Sequence, residues 1–481
     1  GDRFADTISV KDFGVTFDGT TDYTVEIQAA INFASANKAM LRLPSGTTIQ
    51  SSTLTIPSGL KMIGEGKKVT VFKKAAGFNG VQLKSNHFDT LTGTDALDNP
   101  IIPVSIDLRG FTLDGNYLLN DWKNATNSYV NTSGGGVEMY ARYYSMDIDV
   151  TNQAGVGMWL EATGIETEFN TRKDSDFNID STVCKEECLI YKGPSDARFG
   201  YIWTAIGGAR IKAEQELPPV SSPTYGAANG GYTDNIVFDG AAGEVDKIHS
   251  WGCLTGRALW IASSCRLNAN LIIGESSRYG GVELGNDVYG LISNIDVHGC
   301  GGGLDGSVPD LVVSTTDRLI IDSIDIEARG SVDSGQDRVV LSGNFIKVGT
   351  LNVEANGNAG HALKVSGNYI LVGKGMANGC QGTANDGLPS AALVRNAAFS
   401  NRMYDINMMA VSCDNGFHSI NAPSHENITV TADLLTGATV FSGTVKDVTK
   451  AQRWDINGFV NATKVVSSNV VAIGFDPSTT A

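Results

Sequence analysis

Between residues 248 and 354 the chain repeats itself without keeping a fixed period. Ile248-His-Ser-Trp-Gly-Cys253, Ile295-Asp-Val-His-Gly-Cys300, Ile324-Asp-Ile-Glu-Ala-Arg329 and Leu351-Asn-Val-Glu-Ala-Asn356 share one register. Ile272-Ile-Gly-Glu-Ser-Ser277 fits between the first two, with Gly274 at an apolar position. Each is followed by a second apolar run: Leu259-Trp-Ile261, Val282-Glu-Leu284, Leu311-Val-Val313, Val339-Val-Leu341 and Leu363-Lys-Val365. Taken at the fourth residue of each first run, the repeat falls at 251, 275, 298, 327 and 354, spacings of 24, 23, 29 and 27 residues. Varying length with constant strand register puts the extra residues in turns, which is the behaviour of a solenoid. A globular sandwich does not repeat this way.

Composition agrees. Gly at 56 of 481 residues, 12 Pro and only 18% charged residues describe many short strands punctuated by turns. The net charge of -16 repels a phosphate backbone, and no run of Lys or Arg relieves it, so nucleic acid is excluded as a partner. No apolar stretch approaches the roughly 18 residues of a membrane span, and Gly1-Asp2-Arg3-Phe4 lacks the features of a signal peptide, so no membrane insertion is expected. The seven cysteines, Cys184, Cys188, Cys253, Cys265, Cys300, Cys380 and Cys413, are odd in number and scattered. They read as buried or turn thiols made in a reducing cytoplasm, with no metal and no cofactor implied.

At the start, Ile8-Ser-Val-Lys-Asp-Phe-Gly14 and Asp18-Gly-Thr-Thr-Asp22 lead into Thr24–Ala34, where Val25, Ile27, Ala30, Ile31 and Ala34 recur at helical spacing behind Thr24 as N-cap. After this helix the helical period disappears. Val10-Lys-Asp-Phe-Gly14, Asp18-Gly-Thr-Thr-Asp22, Ile27-Gln-Ala-Ala-Ile31 and Leu43-Pro-Ser-Gly46 together resemble the N-terminal cap of the pectate-lyase and polygalacturonase superfamily. With Phe4-Ala-Asp-Thr-Ile8 before it, the segment is most similar to the lead-in of phage tailspikes. The resemblance covers about the first 70 residues. It implies an all-β fold, a right-handed single-stranded parallel β-helix with an N-terminal capping helix and a small C-terminal β domain. It also implies a homotrimer on a virion tail, joined to the rest of the phage tail through a further N-terminal region. The polygalacturonase Asn-x-Asp and Asp-Asp signatures are not found, and hydrolases, lyases and binding-only spikes share this cap.

The expected organisation is a cap over 1–45, a β-helix over 46–423 and a β-rich ending over 424–481. Gly136-Val-Glu-Met139, Met146-Asp-Ile-Asp-Val150 and Gly157-Met-Trp-Leu160 read as earlier rungs. Residues 164–232, charged and without evident period, read as inserted loops. Asn427-Ile-Thr-Val-Thr431 and Trp454-Asp-Ile-Asn-Gly-Phe459 suggest ordinary alternation in the ending.

Alternate residues of a strand face opposite sides. With the first and third positions inward, the outward columns read Trp251, Glu275, His298, Glu327, Glu354 and His249, Ile273, Asp296, Asp325, Asn352. Strands about 4.8 Å apart make Glu275, His298 and Glu327 neighbours, with the two glutamates about 9.6 Å apart and Asp325 about 7 Å from Glu327. Those spacings lean towards an inverting glycosidase, which needs one protonated carboxyl for the leaving oxygen and one carboxylate to activate water. Glu275, Glu327, His298, Asp296 and Asp325 are therefore the expected catalytic group. Trp251, His249, Trp260, Arg278, Glu283 and Glu354 are the expected contacts to a sugar chain. Glu138 and Glu161 are secondary candidates, and Asp114-Gly-Asn116 reads as a turn. The reading that joins these is endo-hydrolysis of a bacterial surface polysaccharide. A lyase with His298 as base and Arg278 neutralising a uronate, and a binding-only spike, stand beside it.

Overall fold

The computed structural model describes residues 6–86, 88–90, 105–161, 175–193, 197–214, 233–240, 243–263, 265–300, 308–315, 318–328, 335–357, 359–386, 390–396, 403–421, 425–433, 439–443, 452–458 and 472–473. The protein is a parallel β-helix, its described residues all strand and turn apart from one α-helix and short 3-10 turns. Two compact units, Gly1–Gly256 and Arg257–Ala481, are built on the same plan. Among the described residues no helix is long and apolar enough to cross a membrane.

The helix runs Thr24–Asn37 and buries Thr24, Ile27, Ala30, Ile31 and Ala34. Two expectations are corrected. Thr24 is the first helical residue behind Tyr23 at the N-cap, and Asp22, one residue earlier still, accepts the Thr24 N–H at 3.0 Å. Val25 is 76% exposed, because the buried stripe starts at Thr24 and Ile27.

In the first unit the long strands Asp107–Asp114, Ser145–Gln153, Asp176–Cys184, Ala197–Gly207 and Gly243–Trp251 pair in parallel, each with the next. The short strands from Leu54–Ile56 through Leu83–Ser85, Val137–Tyr140, Met158–Glu161 and Leu189–Lys192 to Ile236–Phe238 do the same. The stretch expected to be inserted loops thus contains three strands of the ladder, Asp176–Cys184, Leu189–Lys192 and Ala197–Gly207. Its period is hidden by a bulge: Phe177 pairs with Phe199 but Asn178 with Tyr201, so Gly200 slips the alternation by one residue. The core here is aromatic, with Phe177, Tyr191, Phe199 and Phe238 linked by ring centroids 5.0–6.4 Å apart.

The second unit has an aliphatic core. Its long strands Arg266–Glu275, Tyr289–His298, Leu319–Glu327, Asn344–Glu354 and Asn368–Asn378 stack Ile272, Ile295, Ile324 and Leu351 inward. Gly274 takes an inward position because a Cβ there would press on Ala258 and Val282 at 3.2 Å. Short strands Leu259–Ser263, Val282–Asn286, Leu311–Val313, Val339–Leu341 and Leu363–Val365 close the other side. Each fully buried aliphatic side chain contributes about 1.5–3 kcal/mol. In the ending, His425–Asp433 and Gln452–Gly458 continue the parallel pairing begun by Met403–Val411. All seven cysteines are buried and outside any disulfide.

Candidate functional site

In the second unit, Glu275 pairs with His298, His298 with Glu327 and Glu327 with Glu354, while Ile273, Asp296, Asp325 and Asn352 form the parallel column. His298 Nδ1 lies 3.0 Å from Asp296 Oδ1. Burial, and then the charges of Asp325, Glu275 and Glu327 against the opposing pull of His298, push the Asp296 carboxyl up. Asp325 and Glu327 stand exposed, and Asn378 Nδ2 donates to Glu354 Oε2 at 2.8 Å.

The expected sugar contacts fare differently. Trp260 is 7% exposed, with the Arg257 guanidinium 5.0 Å from its ring centroid, and the same Arg257 pairs with Glu283. The ring is covered within its own chain, so its reading as an open platform is corrected. Arg278 lies over Tyr279, its guanidinium 5.6 Å from the ring centroid. His249 and Trp251 belong to the first unit. His249 meets the edge of Trp203 at 4.4 Å, and Trp251 joins Trp122 beside a cluster built on Tyr117 and Ile206. Glu138 pairs with Lys84 at 2.8 Å, and Glu161 accepts from Trp159 Nε1 at 2.9 Å. Asp114 accepts the Asn116 N–H at 2.8 Å, the turn that was expected.

Sequence reasoning missed the first unit's own outward column. Thr112, Asp149, Asp180, Trp203 and His249 stand in register on five successive strands. From the turn after Lys61–Ile63, Lys67 reaches over them: its Nζ lies 2.5 Å from Asp147 Oδ1, 2.7 Å from Asp180 Oδ2 and 2.7 Å from Tyr201 Oη. Tyr201 donates in turn to Asp180 Oδ2 at 2.7 Å. Burial alone would lower the Lys67 ammonium, but its bonds to Asp147, Asp180 and Tyr201 overcome this and hold it above the usual lysine range. A cleft of about 640 Å³ opens beside this knot, lined by Lys67, Lys68, Asp114, Asp149, Asp180 and Trp203. Asp149 is 6% exposed, and the Thr112 hydroxyl donates to its Oδ2 at 3.3 Å. Burial, then the Asp180 charge, push its carboxyl up, while Lys68, Thr112 and Lys67 pull it down. A second cleft of about 320 Å³ touches the same strands at Arg109, Asp147, Asp176, Asn178 and Arg198. Among the described residues no His, Cys, Asp and Glu group is placed to hold a metal ion.

Residues 7–180 match the family described as rhamnogalacturonase A/epimerase, pectate lyase-like. The matched segment contains Lys67, Asp149 and Asp180. No curated protein matches the chain in sequence. Among solved structures, an N-terminal fragment of bacteriophage phi29 gene product 12 is similar at 12% identity, over 94% of this chain and 93% of that one, with a TM-score of 0.43. PfbA, a surface adhesin of Streptococcus pneumoniae, is similar at 12% identity over 92% and 93%, TM-score 0.39. The A-module of a mannuronan C-5 epimerase of Azotobacter vinelandii is similar at 12% identity over 87% and 99%, TM-score 0.39.

Proposed function

We propose that this protein is an endo-acting glycoside hydrolase of a bacterial surface polysaccharide, carried as a homotrimer on a virion tail, with its reaction centre at Asp149 and Asp180. The observation that carries the reading is the contrast between these in-register neighbours. Asp149 is buried, pushed up and set at a cleft, which suits it to carry the proton. Asp180 is bound at Oδ2 by a cation and a phenol, which leaves Oδ1 to attack. In the proposed step Asp149 protonates the glycosidic oxygen as the anomeric carbon–oxygen bond breaks. Asp180, one rung or about 4.8 Å away, is too close to leave room for a water and attacks that carbon through Oδ1; Asp149 then takes a proton from the water that displaces the resulting ester. Trp203 offers the sugar an apolar wall. The phage setting and the polysaccharide rest on the resemblance of the first 70 residues and on the pectate lyase-like family match.

A second reading places the reaction centre at Asp296, with His298, Glu275, Glu327 and Asp325 around it, because Asp296 too is pushed up among carboxylates. The test incubates the protein with purified bacterial capsular and O-antigen polysaccharides. New reducing ends without ultraviolet-absorbing unsaturated sugars support hydrolysis. Unsaturated products overturn it in favour of a lyase, and binding without any fall in polysaccharide size overturns it in favour of a receptor spike.

A further inference from the structure

At the other end of the second unit's long strands lies an outward column that the hydrolase reading does not use. Arg266 pairs with Tyr289. Gly290 pairs with Leu319 and Leu319 with Ile346, so Arg318 and Phe345, each one residue earlier, carry the column on, and Tyr369 stands beside Phe345. All five side chains are exposed, the rings of Tyr289, Phe345 and Tyr369 by 42%, 52% and 40%. Phe345 and Tyr369 lie parallel to within 3° with centroids 4.7 Å apart.

Turn chemistry does not account for the rings. Phe345 and Tyr369 have φ of 52° and 54°, a left-handed conformation that Gly or Asn adopts with far less strain than a bulky side chain. The corner is already tied one residue earlier, where Asn368 Nδ2 donates to Asn344 Oδ1 at 2.7 Å. Strained, exposed and stacked rings are the kind of feature that a ligand-binding surface maintains. The two arginines supply the sign of the ligand. In a chain of net charge -16 a polyanion is repelled at long range, so its capture needs local cations. Arg266 and Arg318 alternate with rings along the column, and neither pairs with a carboxylate among the described residues. A guanidinium matches a carboxylate through paired N–H donors, and an aromatic face takes the apolar face of a neighbouring ring.

We propose that Arg266, Tyr289, Arg318, Phe345 and Tyr369 form a binding track for an anionic, uronate-bearing polysaccharide, with sugar faces on the rings and carboxylates on the arginines. Five rungs at about 4.8 Å make a track roughly 19 Å long, enough for a chain segment and too long for a single sugar. The track uses none of the residues assigned to cleavage, so it stands or falls separately from that assignment.

The test uses the full chain carrying Asp149→Asn, with length-matched hyaluronan and dextran oligosaccharides as uronate-bearing and neutral probes in titration calorimetry. Hyaluronan is expected to bind and dextran not to. Phe345→Ala with Tyr369→Ala should weaken hyaluronan binding at least tenfold, and Arg266→Gln with Arg318→Gln should weaken it and flatten its salt dependence. Equal binding of dextran, no binding of hyaluronan, or variants that bind like the parent each overturn the track. So does a fall in molecular mass by sedimentation when the rings are removed with hyaluronan binding intact, which would make them a contact between copies. Loss of cleavage without loss of binding in Asp149→Asn leaves the track standing, whereas binding variants with full cleavage of short substrates separate the two sites.

Discussion

The two units use one ladder geometry and surround its carboxyls differently. In the first, Asp149 is buried with the charges of Lys67 and Lys68 beside it, and its neighbour Asp180 is fixed by a lysine 113 residues away in sequence. In the second, Asp325 and Glu327 stand in solvent, and Asp296, whose side chain is 31% exposed, has a histidine on its own strand as its partner among the described residues. The second unit has more carboxyls together, but the first has the buried one. Proton affinity at neutral pH follows cover more than crowding, because water screens like charges that remain exposed.

The largest effect expected from this difference is on catalysis. Asp149→Asn should lower kcat on the cleaved polysaccharide by about 10²–10⁴, the usual worth of a general acid, while Asp296→Asn should leave kcat near wild type. The reverse pattern, measured by reducing ends at saturating substrate, would move the reaction centre to the second unit. Next in size, Lys67→Met should lower kcat and shift the pH profile. Lys67 pulls the Asp149 carboxyl down, so without it Asp149 keeps its proton to higher pH and the alkaline limb of kcat/KM moves up. An alkaline limb that stays in place, or moves down, would show that Asp149 is not the titrating acid.

Much of the second unit was legible in the sequence. Its rungs pair Glu275 with His298 and His298 with Glu327 because Ile272, Ile295 and Ile324 alternate without interruption, and a period of two fixes register once one face is buried. The first unit was less legible for two physical reasons. The bulge at Gly200 breaks the alternation that would have joined Asp180 to Trp203 and His249, so a stretch of true rungs looked like loop. The cations beside Asp149 come from the turn that carries Lys67 and Lys68, and no local pattern announces that Lys67 will bond side chains on three later strands. Met146-Asp-Ile-Asp-Val150 was visible as a strand, but which cations would meet its outward carboxyls depends on that distant turn.

Buried charges inside the two units sharpen the comparison, since they give stability opposite slopes with pH. In the first unit Lys74 is fully buried, its Nζ donating to Gly134 O at 2.8 Å, and burial, against the pull of Cys184 and Glu138, lowers it from 10.5 to about 7. Between pH 7 and 10.5 the folded chain therefore binds fewer protons than the unfolded one, and stability rises with pH. Lys74→Met should melt higher than wild type at pH 7, with the difference shrinking towards pH 10. A difference that stays constant would mean that the lysine is not the linked group.

In the second unit Asp310 sits with Arg338, Oδ2 to Nη1 at 3.4 Å, and is buried like its partner. Burial, against the attraction and hydrogen bond of Arg338, raises its carboxyl from 3.8 to about 6. Over that window the folded state holds a proton that the unfolded state has lost, so this contribution to stability is complete below 3.8 and gone above 6. The displacement is smaller than that of Lys74, and the effect should be smaller. Asp310→Asn cannot titrate, and it puts an NH2 donor in place of one acceptor oxygen beside buried Arg338, which lowers stability at every pH. On top of that constant loss, the gap in Tm between wild type and variant should narrow from pH 4 to pH 6.5. A gap that widens instead would mean that the Arg338 charge outweighs burial and keeps Asp310 ionised, making the pair an ordinary ion pair and the two units alike in sign.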